Sequence, residues 1–454
     1  MVNSRYLLRF DLFQQMVFWL SASMHISRKG RRFLEKNATL LESATDSELK
    51  RLITAHAEDK VEMKQQMHNH LVLLQDARKR GGTAQAIHEA YINVYGGFSI
   101  DLPPWLEHVE KQRTSLTRLR RPERTNRAQA ALLRDAIACA TTYDKTIAPE
   151  IVAELQNELG HLLTQSFHLD TQAARIQTIE EAIACHTAAL KVFTLDRYPL
   201  QYAKTSLYLG EAYLRFSSLK QLPTAEQAII CYKAALQIFT RESFPERWAI
   251  LQTHLGTAYA QSSQGKSQYN LEWAIAYHKS ALQIVRRTTF PTMWATILIN
   301  LGDAYRQRQE GTRANNLKRA WHCYRTALQI FTLQIFPREW ACIHIKQAEL
   351  FQEFLVGTEE KRDLNLRCAI VCAESAIQIF TPEAFPVEHA EGLALLGHLH
   401  RIRLGGEQQK NLEQASKCYQ RALQIFTEHA FPTAYGQITA ELAEVTIQLP
   451  PAQH

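Results

Sequence analysis

One block of sequence recurs along the second half of the chain and constrains the fold more than any other feature. It is clearest as ALQIFTRESFPERWA at 235–249, ALQIVRRTTFPTMWA at 281–295 and ALQIFTLQIFPREWA at 327–341. The aliphatic second residue of each copy recurs every 46 residues, apart from one step of 49, at Leu190, Leu236, Leu282, Leu328, Ile377 and Leu423. A fixed period in this range predicts stacked supersecondary units, each of which buries its apolar face only against its neighbours.

Each period contains two helical patterns. The second pattern, at 270–284, places Leu271, Ala274 and Leu282 on one apolar face through spacings of three and four residues. The first pattern begins at a proline such as Pro245, whose fixed backbone angle suits the first helical turn. The aromatic residue before it, here Phe244, is expected to hold the chain at the helix start. We predict six helical pairs over 149–427 and a closing helix over 432–448 that covers the last apolar face.

The runs LGEAY at 209–213, LGTAY at 255–259 and LGDAY at 301–305 resemble the tetratricopeptide repeat (TPR). An alanine follows fifteen residues after each tyrosine, and a second alanine seven residues later, in the order of that motif. The period is longer than the family's usual length of about 34 residues. This long-period variant is similar to the arrays of bacterial proteins that often carry a CHAT protease domain. The resemblance covers about two thirds of the chain and implies an all-α, right-handed α-solenoid. We expect no CHAT domain and no proteolytic activity, since the chain ends at His454.

Ahead of the array at 149–448, the sequence predicts an apolar N-terminal helix at 1–30, a small helical domain at 31–105, and a basic linker with a lead-in helix at 106–148. The apolar N-terminal segment contains Arg9 and Asp11, which argue against a signal peptide, and attachment to a membrane surface is the alternative. No apolar stretch is long enough for a membrane span. Eight cysteines without paired CxxC motifs indicate reduced thiols and a cytoplasmic location.

A ligand site is expected where the resemblance implies it, on the first helix of each pair, which lines the groove of a TPR array. Acidic side chains prevail at the position after the glycine, and apolar ones lie a turn earlier. A peptide or helix with apolar anchors and some basic character would suit this groove. The candidate groove residues are Leu207, Glu211, Leu214, Thr253, Thr257, Ile299, Asp303, Arg306, Ile345, Glu349, Gln352, His398, Arg401 and Glu444.

The motifs that resemble catalytic or metal sites fail on spacing. GKS at 265–267 lacks the upstream glycine of a phosphate-binding loop and follows a helix. His68 and His70 lie two residues apart on a predicted helix and point in different directions. Five cysteines share one repeat position, which a tyrosine fills in another copy, and this indicates packing rather than metal binding: Cys185, Cys231, Cys323, Cys372 and Cys418. We therefore expect no catalytic residues, no metal and no cofactor.

The sequence thus predicts a non-enzymatic scaffold or sensor that binds a protein or peptide in the groove and serves a separately encoded effector, such as a CHAT-type protease. The alternative is a regulator that binds nucleic acid through the basic segment 111–127. The basic residues there lack interleaved aromatic rings for base stacking, so a solvated linker or a docking site for an acidic protein is the simpler interpretation. They are Arg118, Arg120, Arg121, Arg124 and Arg127.

Overall fold

The computed structural model describes residues 122–143, 147–165, 171–220, 224–262, 267–354, 358–403 and 405–449, together with 71–81 and a few isolated positions before 113. The predicted N-terminal helix at 1–30, most of the predicted domain at 31–105, and the histidines at 68 and 70 lie outside the described residues.

All secondary structure in the described ranges is helical, which confirms the all-α class. A lead-in helix is followed by six helical pairs and a single last helix. In chain order these are α1 (Pro122–Ala138, extended by a π-helical turn at Cys139–Tyr143), α2 (Pro149–Thr164), α3 (Gln172–Leu190), α4 (Pro199–Lys220), α5 (Ala225–Ala235), α6 (Pro245–Gln261), α7 (Ser267–Ile284), α8 (Pro291–Gln307), α9 (Arg313–Ala327), α10 (Pro337–Gln352), α11 (Glu359–Ile379), α12 (Pro386–Ile402), α13 (Gln408–Leu423) and α14 (Pro432–Gln448). None of the helices in these ranges is long and apolar enough to cross a membrane.

From α4 onward, each first helix begins at its proline after an aromatic corner that directs the chain into it. The aromatic residue before the proline donates its backbone N–H four residues back, as from Phe336 to the Thr332 carbonyl at 2.8 Å. Except at α8, where Val285 takes the place of the earlier ring, its ring meets the buried aromatic ring five residues earlier edge to face, with centroids 5.3 Å apart for Phe331 and Phe336. The aromatic residue that was predicted to hold the chain at the helix start therefore packs against the turn that precedes it in sequence.

The two helices of a pair cross closely where a glycine faces a ring. A Cβ on Gly210 would lie 2.5 Å from Cε1 of Tyr232, and one on Gly302 would lie 2.6 Å from Cε1 of Tyr324. The second helices also carry a fully buried alanine three or four residues before this ring, such as Ala228 and Ala320. These small residues allow the aromatic side chain to serve as the spacer between the helices.

The repeated cysteine position is a packing position. Burial raises the pKa of Cys231 to about 12 and that of Cys185, Cys323, Cys372 and Cys418 to about 11. A thiol with a raised pKa is a poor nucleophile and a poor metal ligand at neutral pH. Among the described residues no group of three or more His, Cys, Asp and Glu side chains is arranged to hold a metal ion.

The chain divides into two compact units, which are described separately below. The N-terminal unit comprises 1–168 and 176–258, and the C-terminal unit comprises 169–175 and 259–454. The core of the N-terminal unit joins α1, α2, α3 and α4 through Leu133, Leu155, Ile179 and Ala212. The apolar clusters of the C-terminal unit include one centred on α8 and α9, one centred on α12 and α13, and a smaller one at Ala341, Ala376 and Phe380.

Candidate functional site: the face of the first helices

Polar side chains connect the first helices of successive pairs at one repeated level. One partner of each pair directly follows the glycine position of its first helix. The other partner lies in the next first helix, two residues before the glycine position of that helix. In the N-terminal unit Glu211 and His254 form such a pair at 3.1 Å. In the C-terminal unit Asp303 pairs with Lys346 at 2.7 Å, and His398 pairs with Glu441 at 3.4 Å. We call this arrangement the inter-repeat ladder.

Two predicted groove residues of the C-terminal unit, Asp303 and His398, belong to this ladder, and others form further ion pairs beside it. Asp303 also accepts a hydrogen bond from the Tyr324 hydroxyl at 2.6 Å, and burial together with Asp303 raises the pKa of that tyrosine. Arg306 bridges Glu349 at 3.0 Å and Glu353 at 2.8 Å. Since each predicted acidic residue already has a cationic partner, the wall is less negative than the sequence suggests.

Ion pairs of the same kind connect α12 with α14. Arg401 contacts Glu444 at 2.9 Å and Glu441 at 3.8 Å, and the Tyr419 hydroxyl donates to Glu441. Of the remaining predicted groove residues in this unit, Ile299, Ile345 and Gln352 are half-buried.

The N-terminal unit instead brings predicted groove positions into its interior. Leu207 is 1% exposed and Leu214 is 7% exposed, so both pack in the core, and Thr253 is buried as well. Leu207 and Leu214 therefore do not line an open groove. Thr257 is half-buried, and its hydroxyl donates to the Thr253 carbonyl of its own helix.

Around these positions lies a buried polar cluster, defined here as Glu154, Asn157, His161, His186, Lys204, Tyr208 and Glu211. Lys204 Nζ lies 2.5 Å from Glu154 Oε1, with side-chain exposures of 10% and 3%. Burial alone would lower the pKa of Lys204, but the charge of Glu154 and its hydrogen bond raise it. The cluster therefore holds a charged pair inside the protein, where an unpaired charge would be costly.

The other members of the polar cluster are two histidines and the residues that contact them. His186 is fully buried and its Nδ1 lies 2.8 Å from Asn157 Oδ1. Burial, with a smaller contribution from nearby His161, lowers the pKa of His186 to about 3, so the ring is neutral. His161 stacks on Tyr208 with ring centroids 3.9 Å apart, and burial lowers its pKa too. Burial opposes ionisation of Glu211, but the hydrogen bond from His254 outweighs it and lowers its pKa.

One acidic residue of the C-terminal unit differs from those in the ladder. Glu391, in α12, is exposed and has no hydrogen bond or ion pair within the described part of the chain. Desolvation by the surrounding protein is the main cause that raises the pKa of Glu391 to about 6. Repulsion from Glu388 adds to this rise, attraction to Arg175 opposes it, and Glu349 adds a weaker repulsion. Glu388 is itself paired with Arg338 at 3.2 Å. Glu391 is therefore an ionisable group on the first-helix face that the protein leaves uncompensated.

Sequence reasoning missed Glu391 because it lies outside the post-glycine positions. Glu391 lies five residues after the proline of its first helix. The same position holds Glu154 and Lys204 in the first two pairs, and these form the buried ion pair. The sequence could have identified Glu391 through this shared position. Of the predicted basic segment, Arg124 and Arg127 lie in α1 and Arg127 is exposed. Arg118, Arg120 and Arg121 fall outside the described residues.

The architecture places the chain among the helical-repeat proteins. No family model and no curated protein matches the chain. Among solved structures it is similar to a human IFIT1 dimer with PPP-AAAA, at 16% identity and a TM-score of 0.38, over 91% of this chain and 94% of that one. It is also similar to a circular tandem repeat protein with novel repeat topology, at 13% identity and a TM-score of 0.23, over 98% of both chains. At these values the assignment rests on the helical pairs of this chain, and the TPR membership stays a prediction.

Proposed function

We propose that the protein is a non-enzymatic interaction scaffold that binds a basic peptide or a basic segment of a partner protein on the first-helix face of its C-terminal unit. The observation that supports this most directly is Glu391, an exposed carboxylate whose ionised form is disfavoured by desolvation and then by repulsion from Glu388. Strongly perturbed ionisable groups concentrate at functional sites. A lysine or arginine side chain of a partner would relieve the repulsion from Glu388 and Glu349.

The inter-repeat ladder supports the same role in a different way. Its ion pairs and those beside it hold the side chains of Asp303, Glu349 and Arg401 in place. A partner that binds there therefore immobilises few additional side chains. The half-buried Ile299 and Ile345 lie in the same first helices and supply apolar contacts for an amphipathic segment. The ligand class is therefore a segment with apolar anchors and at least one cation.

The resemblance to the CHAT-associated arrays extends the proposal to the partner. A separately encoded effector, such as a CHAT-type protease, is the partner that this resemblance suggests, in a bacterial cytoplasm. The alternative, a nucleic-acid regulator that uses the segment 111–127, stays a prediction because most of that segment lies outside the described residues.

The test uses the full chain and a panel of immobilised peptides that carry lysine or arginine at varied spacing from leucine. We expect wild-type protein to bind a subset of the panel, Glu391→Gln to bind more weakly, and Glu391→Lys to lose binding. Glu374→Lys is the matched control, because Glu374 is an exposed carboxylate on the second helix α11. Peptide binding that is equal in wild type and Glu391→Lys, with both proteins folded by circular dichroism, would reject this site.

A second measurement uses pH. A basic ligand requires the ionised carboxylate, so its affinity should fall as the pH drops through about 6 in wild type, whereas Glu391→Gln should show no such fall. Affinity that is unchanged between pH 7.5 and 5 (about one unit either side of the midpoint) would contradict the role of Glu391.

A further inference from the structure

The second helices α7 and α9 of the C-terminal unit present an exposed surface in which cations and aromatic rings alternate. Helix α9 has no acidic residue along its whole length. Its exposed residues include Lys318, Arg319, His322 and Arg325, which lie on one side of the helix through spacings of three and four. The exposed residues of α7 include Tyr269, Trp273 and Lys279, and Arg286 follows just after that helix. We call this surface the basic aromatic face.

The cations of this face have no acidic partner within the described residues. Lys279 and Arg319 both lie over the ring of Tyr305, 5.8 Å and 5.5 Å from its centroid. Arg325 lies over Trp321 at 4.5 Å. The carboxylate of α7, Glu272, is already held by Arg308 through contacts of 2.6 Å and 3.0 Å. The positive charge of the face is therefore not neutralised by the protein itself.

Aromatic rings at the start of the face are also open to solvent. Trp273 is 55% exposed and Tyr269 is 59% exposed. Tyr259 stacks on Tyr277 with centroids 5.4 Å apart, and Trp273 lies 6.1 Å from Tyr277. The exposed ring of Trp273, tilted by 37° against that of Tyr277, offers a face on which a further ring can stack.

Unpaired cations interleaved with exposed aromatic rings are the combination that single-stranded nucleic acids require. The cations follow the phosphates, and the rings stack on the bases. An acidic peptide would use the cations but not the rings, and α7 and α9 lack the apolar stripe with which an amphipathic helix enters a lipid surface. We propose that the basic aromatic face binds single-stranded nucleic acid. This surface lies on the second helices, so it goes beyond the protein-binding role proposed for the first helices.

The experiment measures fluorescence anisotropy of a labelled single-stranded oligonucleotide with the full chain over a range of salt concentrations. We expect saturable binding whose affinity falls steeply as salt rises, because bound phosphates release counterions. Lys318→Glu combined with Arg325→Glu should weaken binding by about tenfold or more. Trp273→Ala should weaken it by about fivefold or more, with a smaller change in salt dependence, because it removes stacking rather than charge.

The matched control is Lys417→Glu combined with Arg421→Glu. It makes the same change in net charge at two exposed cations of another second helix, α13. The proposal predicts less than about a twofold effect for this control. An equal loss in the control and in the α9 variant would overturn the proposal, since it would show that only net charge matters.

Two competitors separate the alternative occupants. Poly-glutamate or vesicles containing phosphatidylserine should displace the oligonucleotide only weakly if bases are recognised. Strong displacement by poly-glutamate with no effect of Trp273→Ala would assign the face to an acidic protein. Binding of the vesicles that is lost in the α9 variant would assign it to a membrane surface. Either result, or no binding of the oligonucleotide at low salt, overturns the proposal.

Discussion

The first helices of the two units carry polar groups at equivalent positions but use them differently. In the N-terminal unit, Glu154, Asn157, Lys204 and Thr205 are buried between helices. In the C-terminal unit the position that corresponds to Thr205 is a fully buried isoleucine in α8 and α10, Ile297 and Ile343. The position that corresponds to Asn157 is a half-buried isoleucine in the same two helices. Fourteen of the nineteen buried polar residues among the described residues belong to the N-terminal unit. One repeat thus supports both a polar and an apolar interior.

The two interiors also differ in how well their polar groups are satisfied. In the C-terminal unit, buried asparagines close loops, as where Asn316 Nδ2 donates to the Glu310 carbonyl at 2.8 Å. Among the described residues, buried side-chain atoms without a hydrogen-bond partner occur in both units but are more numerous in the N-terminal unit. They include Glu154 Oε2, Thr205 Oγ1 and the Tyr232 hydroxyl there, and Gln352 Oε1 and His400 Nδ1 in the C-terminal unit. Unpaired buried polar atoms cost stability. We infer that the N-terminal unit depends more on its charge states, and the predictions below test that difference.

The largest expected effect is the loss of one partner of the buried ion pair. Lys204→Met leaves Glu154 charged and unpaired in the interior, which should destabilise the N-terminal unit by about 3–5 kcal/mol. Lys346→Met, which breaks the part-exposed pair with Asp303 in the C-terminal unit, should cost about 1 kcal/mol or less. Hydrogen exchange of the amides in α4 and α10 measures each unit separately.

The double variant Glu154→Leu with Lys204→Met separates pairing from packing. It removes both charges, so most of the lost stability should return. Equal losses for Lys204→Met and Lys346→Met would contradict the contrast between the units.

Acidification should affect the N-terminal unit first. The pKa of His186 is lowered to about 3 in the folded state, against 6.5 unfolded, so the unfolded chain binds the proton more tightly. The stability that neutral His186 contributes is present above pH 6.5 and is lost as the pH falls toward 3. His186→Phe should flatten this dependence between pH 6.5 and 4 (within that window), as measured by urea unfolding at each pH.

The C-terminal unit supplies the control for this acid sensitivity. Tyr324 occupies the place of His186 against the glycine of its own pair and takes up no proton over this range. Exchange protection in α9 should therefore change less on acidification than protection in α3. A parallel loss in both helices would show that His186 is not responsible.

A smaller effect is expected at the helix crossings. Gly302→Ala places a Cβ 2.6 Å from the Tyr324 ring, so the helices must separate at a cost of about 1–3 kcal/mol. A Cβ at Gly436 in α14 meets nothing within 4 Å, and Gly436→Ala should stabilise that helix by up to about 1 kcal/mol through helix propensity. Thermal unfolding of both variants measures the difference. Similar midpoints would refute the spacer role of the tyrosine.

These crossings show how far sequence reasoning reaches. The proline and glycine positions predicted where the first helices begin and where a close crossing is needed, because both signals act on the backbone of a few neighbouring residues. The inter-repeat ladder was not predicted, since the pairing of Asp303 with Lys346 depends on how two first helices stack. The burial of Lys204 could not be predicted either, because a lysine on an amphipathic helix is normally expected on the exposed face. The predicted groove residues as a set remain a hypothesis.

The smallest effect concerns Glu391, and its sign is opposite to that of His186. Its pKa is raised to about 6 in the folded state, against 4.5 unfolded, so the folded chain binds the proton more tightly. Stability from this group is present below pH 4.5 and is lost as the pH rises through 6. Glu391→Gln should therefore slightly raise the unfolding midpoint at pH 7.5 and leave it unchanged at pH 4.5 (the two sides of that window). A bound basic peptide should reverse the order at pH 7.5, because only the wild-type carboxylate gains a cationic partner. If the Gln variant stays the more stable protein in the presence of a peptide that binds wild type, Glu391 is a strained residue that takes no part in recognition.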